Sequence, residues 1–188
     1  MKGLAIVGGP RKGQVTDRLV DAVLQGMKDK GIEVEKIYLY DFNIKPCNAC
    51  LACKDSKKCV IDDHHQMVLD KMNKADYVVF SSPVYISNVT SVAKAFMDRS
   101  IRFFEQTKFG PRRHADKPSK VILITSCGAP FPFSHVLGIV PGCLNAMKTY
   151  FKYMNVKIQA LAATGMGDFD VNSCKKLLGK AYSLGKNI

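Results

Sequence analysis

The chain has 188 residues, of which 47% are hydrophobic and 23% are charged, and its formal net charge at pH 7 is +12. This length suits a single domain over 1–188, and the chain lacks both a signal-peptide pattern and the run of about eighteen apolar residues that a membrane-spanning helix needs, so the sequence predicts a cytoplasmic protein with no membrane partner. The basic residues are scattered and no DNA-binding motif is present, which argues against nucleic acid and favours attraction of anionic cofactors or acidic partners.

Short apolar runs and helical repeats alternate along the chain. The first apolar run is followed by a helix pattern that Thr16 is expected to cap, with Asp17 in its first turn, and that Gly31 ends. The polar stretch 109–119 is predicted to be a loop. The strands are predicted at 2–8, 33–40, 76–83, 119–127 and 156–164, and the later helices at 65–75, 91–104, 138–154 and 171–185.

This alternation predicts an α/β fold with a parallel sheet that is covered by helices on both faces. Five strands fit the flavodoxin-like order 2-1-3-4-5, a three-layer sandwich. In such a sheet, ligands bind outside the carboxyl ends of the strands at the switch point between strands 1 and 3. The loops after strands 1, 3 and 4 are therefore the candidate binding loops.

The loop after strand 1 reads GGPRKGQVT, over 8–16. Its glycine spacing matches neither G-x-G-x-x-G nor the GK[ST] phosphate loop. It still joins a buried strand to the start of a helix, where free backbone N–H groups and the helix dipole favour an anion. The alternative interpretation is a glycine-rich turn with a surface arginine. The candidate phosphate-binding residues are Gly9, Arg11, Gln14 and Thr16.

The loops after strands 3 and 4 read SSPVYISNVTS, over 81–91, and SCGAPFPF, over 126–133. An aromatic ring and free backbone groups there suit a flat heterocycle, although the tyrosine could equally belong to the core and the cysteine could be a small buried residue. Phosphate on one loop and a planar ring between two others fit FMN. The candidate ring-binding residues are Pro83, Val84, Tyr85, Ile86, Asn88, Ser126, Cys127 and Gly128.

Four of the seven cysteines lie within residues 43–63, with the spacing C-x2-C-x2-C-x5-C. This cysteine-rich loop favours a 4Fe–4S cluster, because C-x2-C-x2-C is the ferredoxin-type core spacing. Structural zinc, which usually joins two separated C-x2-C pairs, and a set of thiols without metal are the two alternatives. Lysines in the loop would offset the negative charge of a thiolate-bound cluster. The candidate ligands are Cys47, Cys50, Cys53 and Cys59.

Other polar and thiol residues outside these loops are interpreted as structural. Adjacent histidines rarely point at one metal from the start of a helix, and acidic residues before a helix act as caps. His64 and His65 are taken as surface residues, Asp62 and Asp63 as an N-cap and a first-turn acid, Asp98 and Arg99 as members of a salt link, and Cys143 and Cys174 as packing residues.

Three stretches together resemble the iron–sulfur flavoproteins of the NADPH-dependent FMN reductase family: GGPRKGQVT, NIKPCNACLACKDSKKCVIDD and SSPVYISNVTSVAKAFMDR. The resemblance implies a flavodoxin-like fold, FMN, a 4Fe–4S cluster beside the flavin, and a dimer or larger oligomer. By position, Arg11 and Thr16 would hold the phosphate, residues 83–86 would line the isoalloxazine, and the four cysteines would bind the cluster. Gly9 departs from the family's G-S-P-R pattern, in which a serine precedes the proline.

The sequence therefore predicts an FMN-dependent oxidoreductase that passes electrons from ferredoxin or NAD(P)H to an acceptor. FMN suits both kinds of donor because it exchanges one or two electrons. No catalytic acid or base stands out. The alternatives are a cluster-free NAD(P)H-dependent FMN or quinone reductase and a non-enzymatic module that binds zinc.

Overall fold

The computed structural model describes residues 1–56, 59–100, 104–107, 110–113, 118–152, 154, 156–167 and 174–188. None of the helices in these ranges is both long enough and apolar enough to cross a membrane. The strands are β1 (Lys2–Val7), β2 (Glu33–Tyr38), β3 (Tyr77–Pro83), β4 (Phe104–Thr107), β5 (Gly110–Arg113), β6 (Lys120–Ser126) and β7 (Lys157–Ala163). The helices are α1 (Val15–Lys28), α2 (Cys53–Ser56), α3 (His65–Lys74), α4 (Ser91–Arg99), α5 (Phe133–Val136), α6 (Ile139–Lys152) and α7 (Lys175–Lys186).

Five parallel strands form one sheet in the order β2-β1-β3-β6-β7. Counted along the chain, this is the predicted flavodoxin-like order 2-1-3-4-5, which is confirmed. Val7 at the end of β1 is paired with Ser81 of β3, and Pro83 at the end of β3 is paired with Ser126 of β6. The carboxyl ends of the central strands therefore meet at one edge of the sheet, where the candidate loops begin.

Alternate residues of the central strands pack into two separate cores, one on each face of the sheet. Phe80 belongs to the core beneath α3, α4 and α6, and its ring lies 6.3 Å from that of Phe96 and 5.6 Å from that of Phe151. Its neighbour Val79 belongs to the opposite core, which α1 and α7 cover. Both faces of the central strands β1, β3 and β6 are buried, so these strands are mostly apolar, as expected for a parallel sheet.

A second, two-stranded antiparallel sheet joins β4 to β5, with Phe104 paired with Arg113 and Thr107 paired with Gly110. The sequence interpretation missed this hairpin. The helix predicted over 91–104 ends at Arg99, and the segment predicted as a loop from 109 contains β5. The apolar spacing of α4 continues past Arg99, and no glycine or proline precedes Gly110 to mark the end of the helix. The sequence therefore carries no sign that a strand, β4, begins at Phe104.

Candidate functional site: a cofactor cavity and a cysteine cavity

A cavity of 210 Å³ opens at the carboxyl ends of β1, β3 and β6. Ten of the twelve predicted cofactor-binding residues line it, and they come from all three candidate loops. Met166 and Gly167, which follow β7, also line it and were missed. The glycine-rich sequence TGMG, which directly follows β7, could have indicated them. Strand β7 is parallel to its neighbour β6, so the loops after the two strands lie at the same edge of the sheet. The predicted residues in the lining are Gly9, Arg11, Gln14, Thr16, Pro83, Val84, Tyr85, Ser126, Cys127 and Gly128.

Ile86 and Asn88 lie beside this cavity in a tight turn and do not line it. Tyr85 and Asn88 close the turn with two backbone hydrogen bonds of 2.8 and 2.9 Å. Ile86 has a φ of 47° and is 99% exposed, and the Asn88 side chain accepts a hydrogen bond from the Val89 amide at 2.8 Å. The turn positions Tyr85 at the cavity mouth, and any contact of Ile86 or Asn88 with a cofactor stays a prediction.

The first candidate loop is held against β3 and the start of α4. The Gly8 amide donates to the Ser81 carbonyl at 2.7 Å, and the Thr90 hydroxyl, at the N-cap of α4, donates to the Gly8 carbonyl at 2.5 Å. A Cβ atom at Gly8 would lie only 2.9 Å from both Ala93 Cβ and the Ser81 carbonyl oxygen. A glycine is therefore required here by close packing.

Helix α1 begins at Val15, so the prediction that Thr16 caps it is wrong. Gln14 occupies the cap position without a side-chain hydrogen bond. Thr16 is instead buried in the first turn, where its Oγ1 lies 2.6 Å from Ser126 Oγ. This hydroxyl pair joins the first loop to the third beneath the cavity. Sequence pattern could not distinguish a capping threonine from one that faces a serine on a distant strand.

The side chain of Asp17 stabilises this loop. Its carboxylate accepts a hydrogen bond from the Gly13 amide at 2.7 Å, where the backbone has a φ of +74°, and forms a 2.6 Å ion pair with Lys36. Burial lowers the pKa of Lys36, but its hydrogen bonds to Asp17 and Asp21 outweigh this and raise the pKa above its ordinary value. Lys36 therefore stays charged and offsets the negative charge of Asp17 close to the proposed phosphate position.

The loops after β6 and β7 are hydrogen-bonded to each other. The Cys127 amide donates to the Ala163 carbonyl at 2.9 Å, and the Met166 amide donates to the Cys127 carbonyl at 3.0 Å. Burial raises the pKa of the half-buried Cys127 thiol, so it is a protonated, weakly nucleophilic wall of the cavity. A Cβ atom on Gly128 would approach the Gly167 Cα to 3.6 Å, which leaves a narrow gap lined by backbone.

The four loop cysteines line a second, small cavity of 80 Å³ beside the C-terminal end of α4. Cys47 and Cys50 are exposed, whereas Cys53 and Cys59 are partly buried. Ala49 and Leu51, with φ values of 55° and 61°, adopt the left-handed conformation between these cysteines. Non-glycine residues rarely adopt it, and clusters of such residues are typical of binding loops. The remaining lining residues are Asn48, Ala49, Leu51, Val60, Ile61, Asp98 and Arg99.

The described residues contain no group of three or more His, Cys, Asp or Glu side chains arranged to hold one metal ion. Four thiolates around a single zinc ion would each lie about 2.3 Å from it. In a four-iron cluster each thiolate binds a different iron, so the four sulfur atoms lie further apart. The four cysteines line one cavity, and their assignment as ligands of a 4Fe–4S cluster stays a prediction.

Arg99 is the buried anchor of the cysteine-rich loop. Its guanidinium forms an ion pair with Asp63, and the two side chains are 1% and 0% exposed. Asp63 also accepts hydrogen bonds from the amides of Lys45, at 2.8 Å, and His65, at 3.0 Å. Burial raises the pKa of Asp63, but these hydrogen bonds, led by that from Arg99, outweigh it and hold the pKa below its usual range.

The predicted salt link is thus present, although its partners come from different elements. Arg99 pairs with Asp63, while Asp98 pairs with Lys94 at 2.5 Å on the surface of α4. The surface prediction for His65 is wrong. Its ring is fully buried 5.2 Å from that of Phe96, because α3 packs against α4. Cys143 and Cys174 are buried packing residues, as predicted.

Residues 1–130 match the family of NADPH-dependent FMN reductases. The chain belongs to this family. It is 39% identical over 101 residues to the iron–sulfur flavoprotein of Methanosarcina thermophila, covering 54% of this chain and 53% of that protein. It is 41% identical over 100 residues to an iron–sulfur flavoprotein of Methanocaldococcus jannaschii, covering 53% and 52%. The chain thus spans about half the length of the curated relatives it matches.

Solved structures similar to this member of the FMN reductase family show the same fold. The NAD(P)H:quinone oxidoreductase of Methanothermobacter marburgensis has a TM-score of 0.78 at 16% identity, over 100% of this chain and 98% of that one. An FMN-dependent NADH-azoreductase of Bacillus anthracis, solved with FMN, has a TM-score of 0.71 at 18% identity, over 99% and 96%. At these identities the likeness concerns the fold alone.

Membership of the FMN reductase family supports FMN as the cofactor, and the cavity fits it. The start of α1 and the exposed Arg11 lie at one part of the lining, and Val84, Tyr85 and Gly128 lie at another. The departure at Gly9 also has a structural cause. A Cβ atom there would lie 3.1 Å from Pro83 Cδ, so a serine at this position would require Pro83 to shift by a few tenths of an ångström.

Proposed function

We propose that the protein is an FMN- and 4Fe–4S-containing oxidoreductase that passes electrons from ferredoxin or NAD(P)H to an acceptor. The observation that carries this proposal is the convergence of three predicted loops on one cavity at the strand ends, with a second cavity lined by four cysteines. When bound, FMN supplies exchange of one or two electrons, and the cluster supplies exchange of one.

The chain's own residues would bind and orient the two groups. The free amides at the start of α1 and the guanidinium of Arg11 suit the phosphate, because both place positive charge at an anion. Tyr85, Val84 and the backbone at Gly128, which line the cavity together, suit a planar ring. Cys47, Cys50, Cys53 and Cys59 would hold the cluster as thiolates.

Helix α4 supports this pairing of sites. Its N-cap, Thr90, is hydrogen-bonded to Gly8 of the first candidate loop, and its last residue, Arg99, contacts the cysteine-rich loop. From Ser91 to Arg99 the helix rises by about 1.5 Å per residue, roughly 12 Å in all. The two loops therefore contact opposite ends of one short helix, which suits electron exchange between the two sites.

The basic charge supports an acidic one-electron donor such as ferredoxin. The net charge is +12, and Lys45 and Lys54 are exposed on the cysteine-rich loop. Complementary charge speeds association, and salt weakens it. None of the seven cysteines forms a disulfide, which supports our proposal of a reducing, cytoplasmic location.

We also propose a homodimer or tetramer. Large apolar side chains on the segment between β6 and α6 are 61% to 79% exposed, and this segment follows Gly128 at the flavin cavity. Exposed apolar patches of this kind mark interaction surfaces. Sedimentation would then give twice the chain mass or more, whereas a monomer at micromolar concentration would contradict this part of the proposal. The residues are Phe131, Phe133, Val136 and Leu137.

Anaerobic purification followed by absorbance spectroscopy and iron and sulfide analysis tests the central proposal. We expect flavin peaks, a broad shoulder that dithionite bleaches, and about four irons and four sulfides per chain. Cys50→Ser should lose the iron and keep FMN. Protein that takes up no flavin under reconstitution would overturn the proposal.

The second candidate function is a cluster-free NAD(P)H-dependent FMN or quinone reductase. The observation that favours it is the exposure of Cys47 and Cys50 to solvent. Flavin peaks without iron after anaerobic reconstitution, together with NAD(P)H oxidation that is unchanged in Cys50→Ser, would select this candidate.

A further inference from the structure

The guanidinium of Arg99 donates a hydrogen bond to one of the four loop thiols. Its Nη2 lies 3.4 Å from Cys59 Sγ, within the limit for a sulfur acceptor. The Arg99 side chain is 1% exposed, so this contact is made away from water. Among the predicted ligands, Cys47 and Cys50 are exposed to solvent and Cys59 is partly buried. The protein thus directs a fixed cationic donor at a ligand on the inner side of the cavity.

Other contacts fix the donor in this position. Arg99 Nη1 donates to the Lys45 carbonyl at 3.1 Å and pairs with Asp63, and Nη2 also donates to the Ile61 carbonyl at 3.2 Å. Lys45 precedes the first loop cysteine, whereas Ile61 and Asp63 follow the last. One planar fork therefore joins both ends of the loop to α4, a geometry that a lysine ammonium cannot reproduce.

Hydrogen bonds to ligand sulfur and solvent exposure are two of the factors that set the reduction potential of an iron–sulfur cluster. An added electron increases the negative charge shared with the thiolates, so an N–H donor stabilises the reduced form more than the oxidised form. The effect is larger where water is excluded, since the local dielectric constant is low. Asp63 largely offsets the charge of Arg99, which leaves the directed N–H···S bond as its specific contribution.

We infer that Arg99 is a positioning residue that raises the reduction potential of a cluster on the cysteine-rich loop, through its hydrogen bond to Cys59 Sγ. This inference rests on the proposed 4Fe–4S cluster. Asp63 lowers this reduction potential, because its negatively charged carboxylate lies beside the guanidinium of Arg99 and offsets its positive charge.

The test is an anaerobic redox titration of the reconstituted protein, with the cluster followed by electron paramagnetic resonance and the flavin by absorbance. Arg99→Lys keeps a positive charge beside Asp63 and loses the fork that reaches Cys59. We expect its cluster reduction equilibrium to shift about tenfold toward the oxidised form, about 59 mV for one electron. Asp63→Asn should shift the equilibrium in the opposite direction. The flavin potential should be unchanged in both variants.

Lys71→Met is the matched control, since it removes the positive charge of Lys71 on α3 from an exposed ion pair with Glu35 on β2. It should leave both potentials unchanged. If Arg99→Lys loads iron fully and keeps the wild-type cluster potential, the inference is overturned while the proposed function stands. If Arg99→Lys does not take up iron, the cluster potential of Asp63→Asn becomes the test. A potential in Asp63→Asn that equals or lies below the wild-type value overturns the inference. Wild-type protein that takes up no iron overturns the proposed cluster and this inference together.

Discussion

The flavin cavity and the cysteine cavity are built in different ways. The flavin cavity lies where four parallel strands end, and loops that face one another across it are hydrogen-bonded. The cysteine cavity lies in a segment whose described residues, 43–56 and 59–63, form regular structure only in the single turn α2. There the loop ends are joined to α4 by the buried pair of Arg99 and Asp63.

The difference shows how each site keeps its shape. The sheet itself determines where the flavin cavity lies, because the loops that line the cavity follow neighbouring parallel strands that end at one edge. The described ends of the cysteine loop are joined by a backbone hydrogen bond from the His64 amide to the Asn43 carbonyl and by the contacts that Arg99 and Asp63 make with Lys45, Ile61 and His65. Most of these contacts depend on the single Arg99–Asp63 pair. Loss of a single interaction should therefore be tolerated at the first site and costly at the second.

Replacing Arg99 should have the largest effect. Arg99→Ala leaves Asp63 buried without its partner, and removing one member of a buried pair costs about 3–5 kcal/mol. We expect a fall of this size in the free energy of unfolding of the metal-free protein, measured by urea denaturation. Lys71→Ala, in an exposed pair, should cost less than about 1 kcal/mol. Equal losses in the two variants would contradict the comparison.

A buried thiol should also make the stability of the protein depend on pH. Cys143 of α6 lies in the core between this helix and the sheet, 3.4 Å from the Thr125 hydroxyl, and burial raises its pKa from 9.0 to about 11. The raised pKa means that stability is fully present below pH 9.0 and falls as the pH rises toward 11, since only the unfolded chain ionises in this window. The slope is about 1.4 kcal/mol per pH unit.

Urea denaturation between pH 8 and pH 11, taken as approximate limits set by that pKa, measures this effect. Cys143→Ala removes the titrating group, so this variant should lose less stability than the wild type over the same range. Parallel losses in both proteins would assign the alkaline sensitivity to another group.

Gly9 offers a test of the flavin cavity with a matched pair of variants. Gly9→Val places a branched side chain against Pro83, where even a Cβ atom has only 3.1 Å. We expect FMN to bind at least about tenfold more weakly, or about 1.4 kcal/mol, in a fluorescence titration. Gly9→Ser adds the hydroxyl of the family pattern with only a small shift of Pro83, and its affinity should equal or exceed that of the wild type. Unchanged binding in Gly9→Val would remove this loop from the site.

Thr16 should show the smallest effect. Thr16→Val keeps the shape of the side chain and removes the hydroxyl that pairs with Ser126 at 2.6 Å. The predicted contact of this hydroxyl with the phosphate is also lost, and because a hydrogen bond is worth about 1 kcal/mol, FMN should bind roughly fivefold more weakly. Ser183→Ala on the exposed face of α7 is the control and should bind FMN normally. An affinity in Thr16→Val that matches the control would show that the hydroxyl has no part in binding.

The periodicity of the sequence was sufficient to predict the sheet and most of the cavity lining. Apolar runs alternating with helical repeats have few solutions, and the parallel order brings the loops at 8–16, 81–91 and 126–133 to one edge. The hairpin of β4 and β5 was missed because its pairing carries no strong local signal. Met166 and Gly167 were missed because the loop after the last strand was not considered.

The sequence by itself determined the order of the strands, the edge at which the cofactor cavity forms and the spacing of the four thiols, because these follow from hydrophobic periodicity and from positions along the chain. Only the tertiary structure decided that Thr16 faces Ser126, that His65 is buried, and that Arg99 reaches Asp63 and Cys59. Each of these contacts joins residues 31 or more positions apart. Their partners are chosen by the packing of helices and loops in three dimensions, which no local pattern encodes.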